Sequence, residues 1–102
     1  MIESSNDDEL KQLINSNETL IIDCYATWCG PCKALIPTLE KIEQNSSIKF
    51  IKANIEDHQE IVRKLNIRSV PTLIFVDGGD VQSTLIGFKA ESQIQEWIKN
   101  NS

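Results

Sequence analysis

Thr19-Leu20-Ile21-Ile22-Asp23-Cys24-Tyr25-Ala26-Thr27-Trp28-Cys29-Gly30-Pro31-Cys32-Lys33-Ala34-Leu35 is the stretch that decides the fold. Its first seven residues are an apolar, β-branched run of strand length. Ala34, Leu35, Leu39 and Ile42 then recur at helical spacing, so a strand feeds a helix and two cysteines stand at the junction. A helix N-terminus presents unpaired N–H groups and the positive end of its dipole, which favours a thiolate at Cys29 and makes it the expected nucleophile. Positions three apart face one another on a helix. Cys32 therefore lies close enough to Cys29 for a disulfide that can open and close. Pro31 suits the first helical position, and Gly30 has no side chain to block an incoming disulfide, so the leading sulfur is expected to be accessible.

The same two cysteines admit plainer readings, as buried structural thiols or as half of a zinc site. Zinc takes four ligands, and only Cys24 and the single His58 remain as cysteine or histidine partners, with no second C-x-x-C in the chain. The position of the pair at a strand-to-helix junction favours redox chemistry over both alternatives.

Working outward, Ser4, Ser5 and Asn6 offer N-cap oxygens, Asp7, Asp8 and Glu9 suit a first turn, and Leu10, Leu13 and Ile14 form an apolar stripe, predicting a helix that stops near Asn15-Ser16-Asn17. The central helix is expected to run from about Cys29 to Gln44 with Pro37 inside it, where a kink is expected. Ile48, Phe50, Ile51, Ala53 and Ile55 mark the next strand. Two strands joined through a helix make a right-handed βαβ unit with a parallel sheet core. Asp57 is a candidate cap for a third helix carrying Ile61, Val62 and Leu65 and ending at Asn66. Thr72–Val76 reads as a strand, Asp77-Gly78-Gly79-Asp80 as a tight turn, and Val81–Gly87 as the hairpin partner. Ala90–Asn100 is amphipathic, with Ile94, Trp97 and Ile98 on one face. The order predicts an α/β fold with a central mixed sheet and helices on both faces.

A chain of 102 residues accommodates one domain, and no internal repeat interrupts it. No apolar run approaches membrane-spanning length, and the N-terminus lacks a basic segment followed by an apolar one, so a soluble, unexported protein is expected. Three cysteines cannot all pair within one chain, which points to a reducing compartment. The net charge of −5 argues against nucleic acid or an anionic membrane as partner.

Trp28-Cys29-Gly30-Pro31-Cys32-Lys33 resembles the active-site signature of the thioredoxin family, and the order of elements resembles that fold over essentially the whole chain. The resemblance implies a central five-stranded mixed sheet, its first strand short and near Met1-Ile2-Glu3, flanked by four helices. It also implies a dithiol–disulfide oxidoreductase that reduces disulfides in target proteins through Cys29 and Cys32. Asp23, a carboxylate in an otherwise apolar strand, would by this resemblance lie buried behind Cys32 and assist its deprotonation. Otherwise it is an edge or surface acid. Lys52 would lie near that aspartate, although its plain reading is a solvated strand-end charge. Trp28, Gly30, Pro31, Val70, Pro71 and Gly87 would form the substrate groove, with Pro71 in the cis form.

The expected partners, again by resemblance, are disulfide-containing proteins and an NADPH-dependent flavoprotein thioredoxin reductase. The chain itself carries no nucleotide motif, and neither a cofactor nor a metal is expected. A cytoplasmic monomer is expected. Cys24 and Tyr25 depart from the family, which usually has a large aromatic and a tryptophan there. Alternation places Cys24 away from Asp23, so a buried, inert thiol is expected, and His58 is read as a surface residue. An oxidase or isomerase of the same fold, or a non-catalytic module that only holds a partner, are the rival functions. The Gly30-Pro31 dipeptide resembles the reducing members.

Overall fold

The computed structural model describes Met1–Ser102. Its elements follow in the order β1 (Ile2–Ser4), α1 (Asp7–Ile14), β2 (Thr19–Tyr25), α2 (Gly30–Gln44), β3 (Lys49–Asn54), α3 (Gln59–Lys64), β4 (Thr72–Asp77), β5 (Asp80–Ile86) and α4 (Glu91–Asn101). The strands form one sheet in the spatial order β1-β3-β2-β4-β5. The β1–β3 and β3–β2 pairs are parallel, whereas β4 runs antiparallel to both β2 and β5, so the sheet is mixed and β2 lies at its centre.

Alternation along the strands explains how the sheet is covered. Leu20, Ile22 and Cys24 of β2 pack with Ile51 and Ala53, Ile74 and Val76 against Leu10 of α1 and Ile61 of α3. The other parity, Ile21, Phe50, Leu73 and Phe75, packs against Leu35, Leu39 and Ile42 of α2 and Ile94 and Trp97 of α4. Both faces of β2 are therefore dry, which is why the strand reads as a continuous apolar run rather than as an alternating one. Phe75 and Trp97 meet edge to face with ring centroids 5.7 Å apart, and the Trp97 indole N–H donates to the Ser83 hydroxyl at 2.9 Å.

Local chemistry sets the element ends. Asn6 caps α1 by accepting the Glu9 N–H at 2.9 Å. The hairpin turns through Gly78 and Gly79, whose φ values of 61° and 86° suit a residue without a Cβ. Asn66, just past α3, takes φ 58°, a left-handed conformation that asparagine tolerates.

Two expectations near α3 are corrected. Asp57 is not the cap. Helix α3 begins after His58, and it is Asp7 of α1 that accepts the N–H groups of Glu60 and Ile61 at 3.2 and 3.1 Å, so one helix caps another across the fold. Nor is His58 at the surface: it is 1% exposed, with Nε2 2.8 Å from the Ser4 hydroxyl and Nδ1 2.7 Å from the Asn54 carbonyl. A carbonyl only accepts, so Nδ1 carries the proton, and the ring ties β1 to the end of β3 and the start of α3.

Candidate active site

The site is built where β2 ends and α2 starts. Cys29 and Cys32 are joined by a disulfide, and Cys29 is the N-cap of α2 with an extended backbone, φ −94° and ψ 107°. Its sulfur accepts the Cys32 backbone N–H at 3.1 Å. That donor is one of the orphan N–H groups of the helix start. The chain thus aims a hydrogen bond and the positive end of the α2 dipole at the sulfur on which negative charge must reside for nucleophilic attack. Pro31 sits within the first turn, where its missing N–H costs nothing.

The expectation of an accessible leading sulfur needs correction for the closed disulfide. Cys29 is 5% exposed and packs with Ala26 and Cys32, and with the partly buried Tyr25, Ile55 and Val70. Its side chain is occupied by the bond to Cys32 and turned toward the helix start, so shelter follows from the same geometry that favours the thiolate. Exposure belongs instead to its neighbours: Trp28 is 71% exposed, and a Cβ built on Gly30 would meet nothing within 4 Å.

Asp23 shares the parity of Ile21 and so faces α2, the side on which Cys32 lies. It is fully buried, and neither carboxylate oxygen has a hydrogen-bond partner. Burial pushes its pKa up from an ordinary 3.8 to about 6, against the opposing pull of the Lys52 ammonium. Lys52 is the residue paired with Asp23 in the β2–β3 register, which settles its direction toward the same face. Asp23, Cys32 and Lys52 line one open recess of about 360 Å³, with Tyr25, Lys33 and Ile36 among its other walls. The sequence signal for this arrangement is the single charge in an apolar strand, and the edge or surface alternative for Asp23 is ruled out by its burial.

Val70 packs against the cysteine pair, its peptide bond to Pro71 is cis, and the Pro71 carbonyl accepts the Gly87 N–H at 2.9 Å. Gly87 has φ 92°, a conformation that favours glycine. Val70 makes no backbone hydrogen bond within the chain. Together with Trp28, Ile55, Val62 and Ile67 it lines a shallow, mainly apolar recess of about 270 Å³. Trp28 and Gly30 thus flank Cys29 in the chain, Val70 packs against the cysteine pair, and Pro71 and Gly87 are tied to each other next to Val70.

Cys24 is 3% exposed and lies in the core on the α1 and α3 side, away from the dithiol. Burial, reinforced by the Asp23 charge, pushes its thiol up to about 12. His58 is engaged by Ser4 and Asn54, and no three metal-ligating side chains converge anywhere in the fold. Tyr25, which in the sequence stands out only as a departure from the family pattern, proves to belong to the site. Its hydroxyl donates to Glu3 Oε2, and the Lys52 ammonium sits 4.7 Å from its ring centroid. Burial first, and then the bond to Glu3, hold the phenol above its usual range.

Residues 1–100 match the family model described as Thioredoxin. A thioredoxin of Mycoplasmoides gallisepticum is 38% identical over 96 residues, covering 93% of this chain and 96% of the relative. That of Bacillus subtilis is 34% identical over 88 residues, covering 84% and 85%. Among solved structures, Plasmodium falciparum thioredoxin superposes with a TM-score of 0.89 at 30% identity over the full length of both chains. The oxidised form of mitochondrial thioredoxin 3 from Saccharomyces cerevisiae gives a TM-score of 0.89 at 31% identity, covering 98% of this chain and 94% of that one. With its two cysteines bonded at the start of α2 and relatives matched along nearly its whole length, this chain belongs to the thioredoxin family, disulfide oxidoreductases that act by thiol–disulfide exchange.

Proposed function

We propose that the chain works in the reducing direction on disulfides of other proteins, with Cys29 as nucleophile, Cys32 as resolving thiol and Asp23 as proton acceptor. In the reduced form the Cys29 thiolate attacks one sulfur of the target disulfide. A Cys29–target bond forms, the target S–S bond breaks, and the departing target thiolate takes a proton from solvent. Cys32 then gives its proton to Asp23 and attacks the Cys29 sulfur. The Cys29–Cys32 disulfide closes and the second target thiolate leaves, so two electrons pass from this chain to the target.

The observation that carries this reading is the Cys29 sulfur accepting the Cys32 N–H at 3.1 Å while an unpartnered, buried Asp23 lines the recess beside Cys32. One sulfur is equipped for stable negative charge, and the other has a proton acceptor at hand. Asp23 with a pKa of about 6 is ionised at neutral pH yet a stronger base than an ordinary carboxylate, which suits a general base. Lys52 contributes charge to Asp23 rather than touching the sulfurs. The target is held by Val70, whose free backbone can pair with an extended segment next to its disulfide, while Pro71, Gly87, Trp28, Gly30 and Pro31 give the segment a flat, accessible approach.

The electrons spent must be restored. An NADPH-dependent flavoprotein reductase would reopen the Cys29–Cys32 disulfide, and a reducing compartment such as the cytoplasm, in which Cys24 also stays a free thiol, suits this cycle. Reduction of insulin by the chain in the presence of NADPH and a thioredoxin reductase tests the reading. Precipitation of the freed insulin B chain, lost in both Cys29→Ser and Cys32→Ser, is expected. A chain that binds insulin but leaves its disulfides intact would reduce the protein to a holding module.

A further inference from the structure

Burial dominates the ionisation of Asp23 and Lys52 is the cation that opposes it, so whatever holds that ammonium in place also shifts when Asp23 ionises. A lysine on a strand has a flexible stem and no intrinsic reason to stay beside a buried acid. Here its ammonium lies 4.7 Å from the Tyr25 ring centroid, within cation–π range. The ring is in turn tethered at its far end, where the hydroxyl donates to Glu3 Oε2 of the edge strand β1. Register explains the alignment: Asp23 and Glu3 are both paired with Lys52, one from each neighbouring strand, so three adjacent strands place these groups in a row. Tyr25 also lines the recess that holds Asp23 and Cys32.

We propose that Tyr25 is a positioning residue for the resolving step: its ring, anchored to Glu3, holds the Lys52 ammonium at the mouth of the recess and thereby sets the pH at which Asp23 accepts a proton. The proposal rests on the reading of Asp23 as the base for Cys32. The charged and titratable groups around Asp23 are Lys52 from β3, Tyr25 and Cys24 from its own strand, and Cys32 and Lys33 from α2, with Leu73 opposite it on β4. Glu3 and Asp57 act on the Tyr25 phenol rather than on Asp23. Release of the Lys52 ammonium into solvent removes the one attraction that favours ionised Asp23, so the carboxyl should protonate more readily.

A double-mutant cycle read on the Asp23 carboxyl itself tests this, using carboxyl carbon NMR titration of the oxidised protein, in which Cys29 and Cys32 do not titrate. Lys52→Met should raise the Asp23 midpoint by roughly 1 pH unit, the low end for loss of a close opposite charge. Tyr25→Leu should raise it by about half as much, and in the Lys52→Met background it should raise it no further. Tyr25→Phe, which removes only the oxygen bonded to Glu3 and keeps the fold, should give a smaller rise that also vanishes without Lys52. No rise in either Tyr25 variant, or a rise of equal size with and without Lys52, overturns the proposal, because Tyr25 would then act on Asp23 through burial alone. The readout is titration, not turnover, so the base role fails separately: Asp23→Asn resolving mixed disulfides at the wild-type rate would remove that role while leaving the measured coupling between Tyr25 and Lys52 intact.

Discussion

Replacing Asp23 with asparagine should make the oxidised protein more stable at neutral pH and no more stable in acid. Asp23 is fully buried without a hydrogen-bond partner, and burial raises its pKa from 3.8 to about 6. The folded value lies above the unfolded one, so between them the native state binds more protons than the unfolded state. Stability therefore falls as pH rises from about 4 to about 6, and the deficit persists at neutral pH. At 1.36 kcal/mol per pH unit, the rise corresponds to about 3 kcal/mol. Asparagine removes the charge but leaves a desolvated amide, so roughly 1–2 kcal/mol should be recovered. That gain moves a urea midpoint upward by about 1 M for a chain of this size. Urea melts of wild type and Asp23→Asn at about pH 7 and about pH 3 supply the comparison, the second lying below both pKa values. Resolution of a mixed disulfide should slow in the same variant, so stability and turnover move in opposite directions. A variant less stable than wild type at neutral pH would mean that Asp23 is a favourably paired carboxylate, and the reasoning from desolvation would be refuted.

Other perturbations follow from the same contacts. In the reduced native protein a bulky alkylating agent at neutral pH should modify Cys29 and spare Cys24, which is buried and held protonated; peptide mass showing Cys24 modified at a comparable rate without denaturant would contradict its burial. Asp7→Ala, which strips the α3 start of two acceptor contacts, should cost about 1 kcal/mol in a denaturant melt, and a change of a few tenths or less would show that α3 needs no cap from α1. His58→Ala, which empties a buried site and orphans Ser4 and Asn54, should cost on the order of 2–4 kcal/mol; an unchanged melt would return His58 to the surface role that its sequence context suggests.

Short-range chemistry made most of the fold legible. Apolar period and turn residues locate the elements to within a residue or two, because β2 buried on both faces and α2 with its stripe of Leu35, Leu39 and Ile42 answer to local patterns. The placement of Asp23 on the α2 side follows from counting along one strand. What sequence reasoning missed is long-range. His58 is buried by a serine 54 positions away, and Asp7 caps a helix 53 and 54 positions on, so neither pattern exists within any local window. Tyr25 escaped for the same reason: its partners Glu3 and Lys52 belong to two other strands, and only the β1-β3-β2 order brings all three together.

The central claim is that the two cysteines have unequal roles, set by the helix start. Its most direct measurement is the mixed disulfide formed between insulin and each single-cysteine variant, followed on non-reducing gels. Cys32→Ser retains the sulfur that accepts an N–H at the start of α2 and lacks the thiol that releases the target, so it should accumulate a covalent complex with insulin. Cys29→Ser should accumulate none, since Cys32 lies a turn further into α2 and the N–H at the helix start is aimed at the other sulfur. Equal trapping by the two variants would contradict the account.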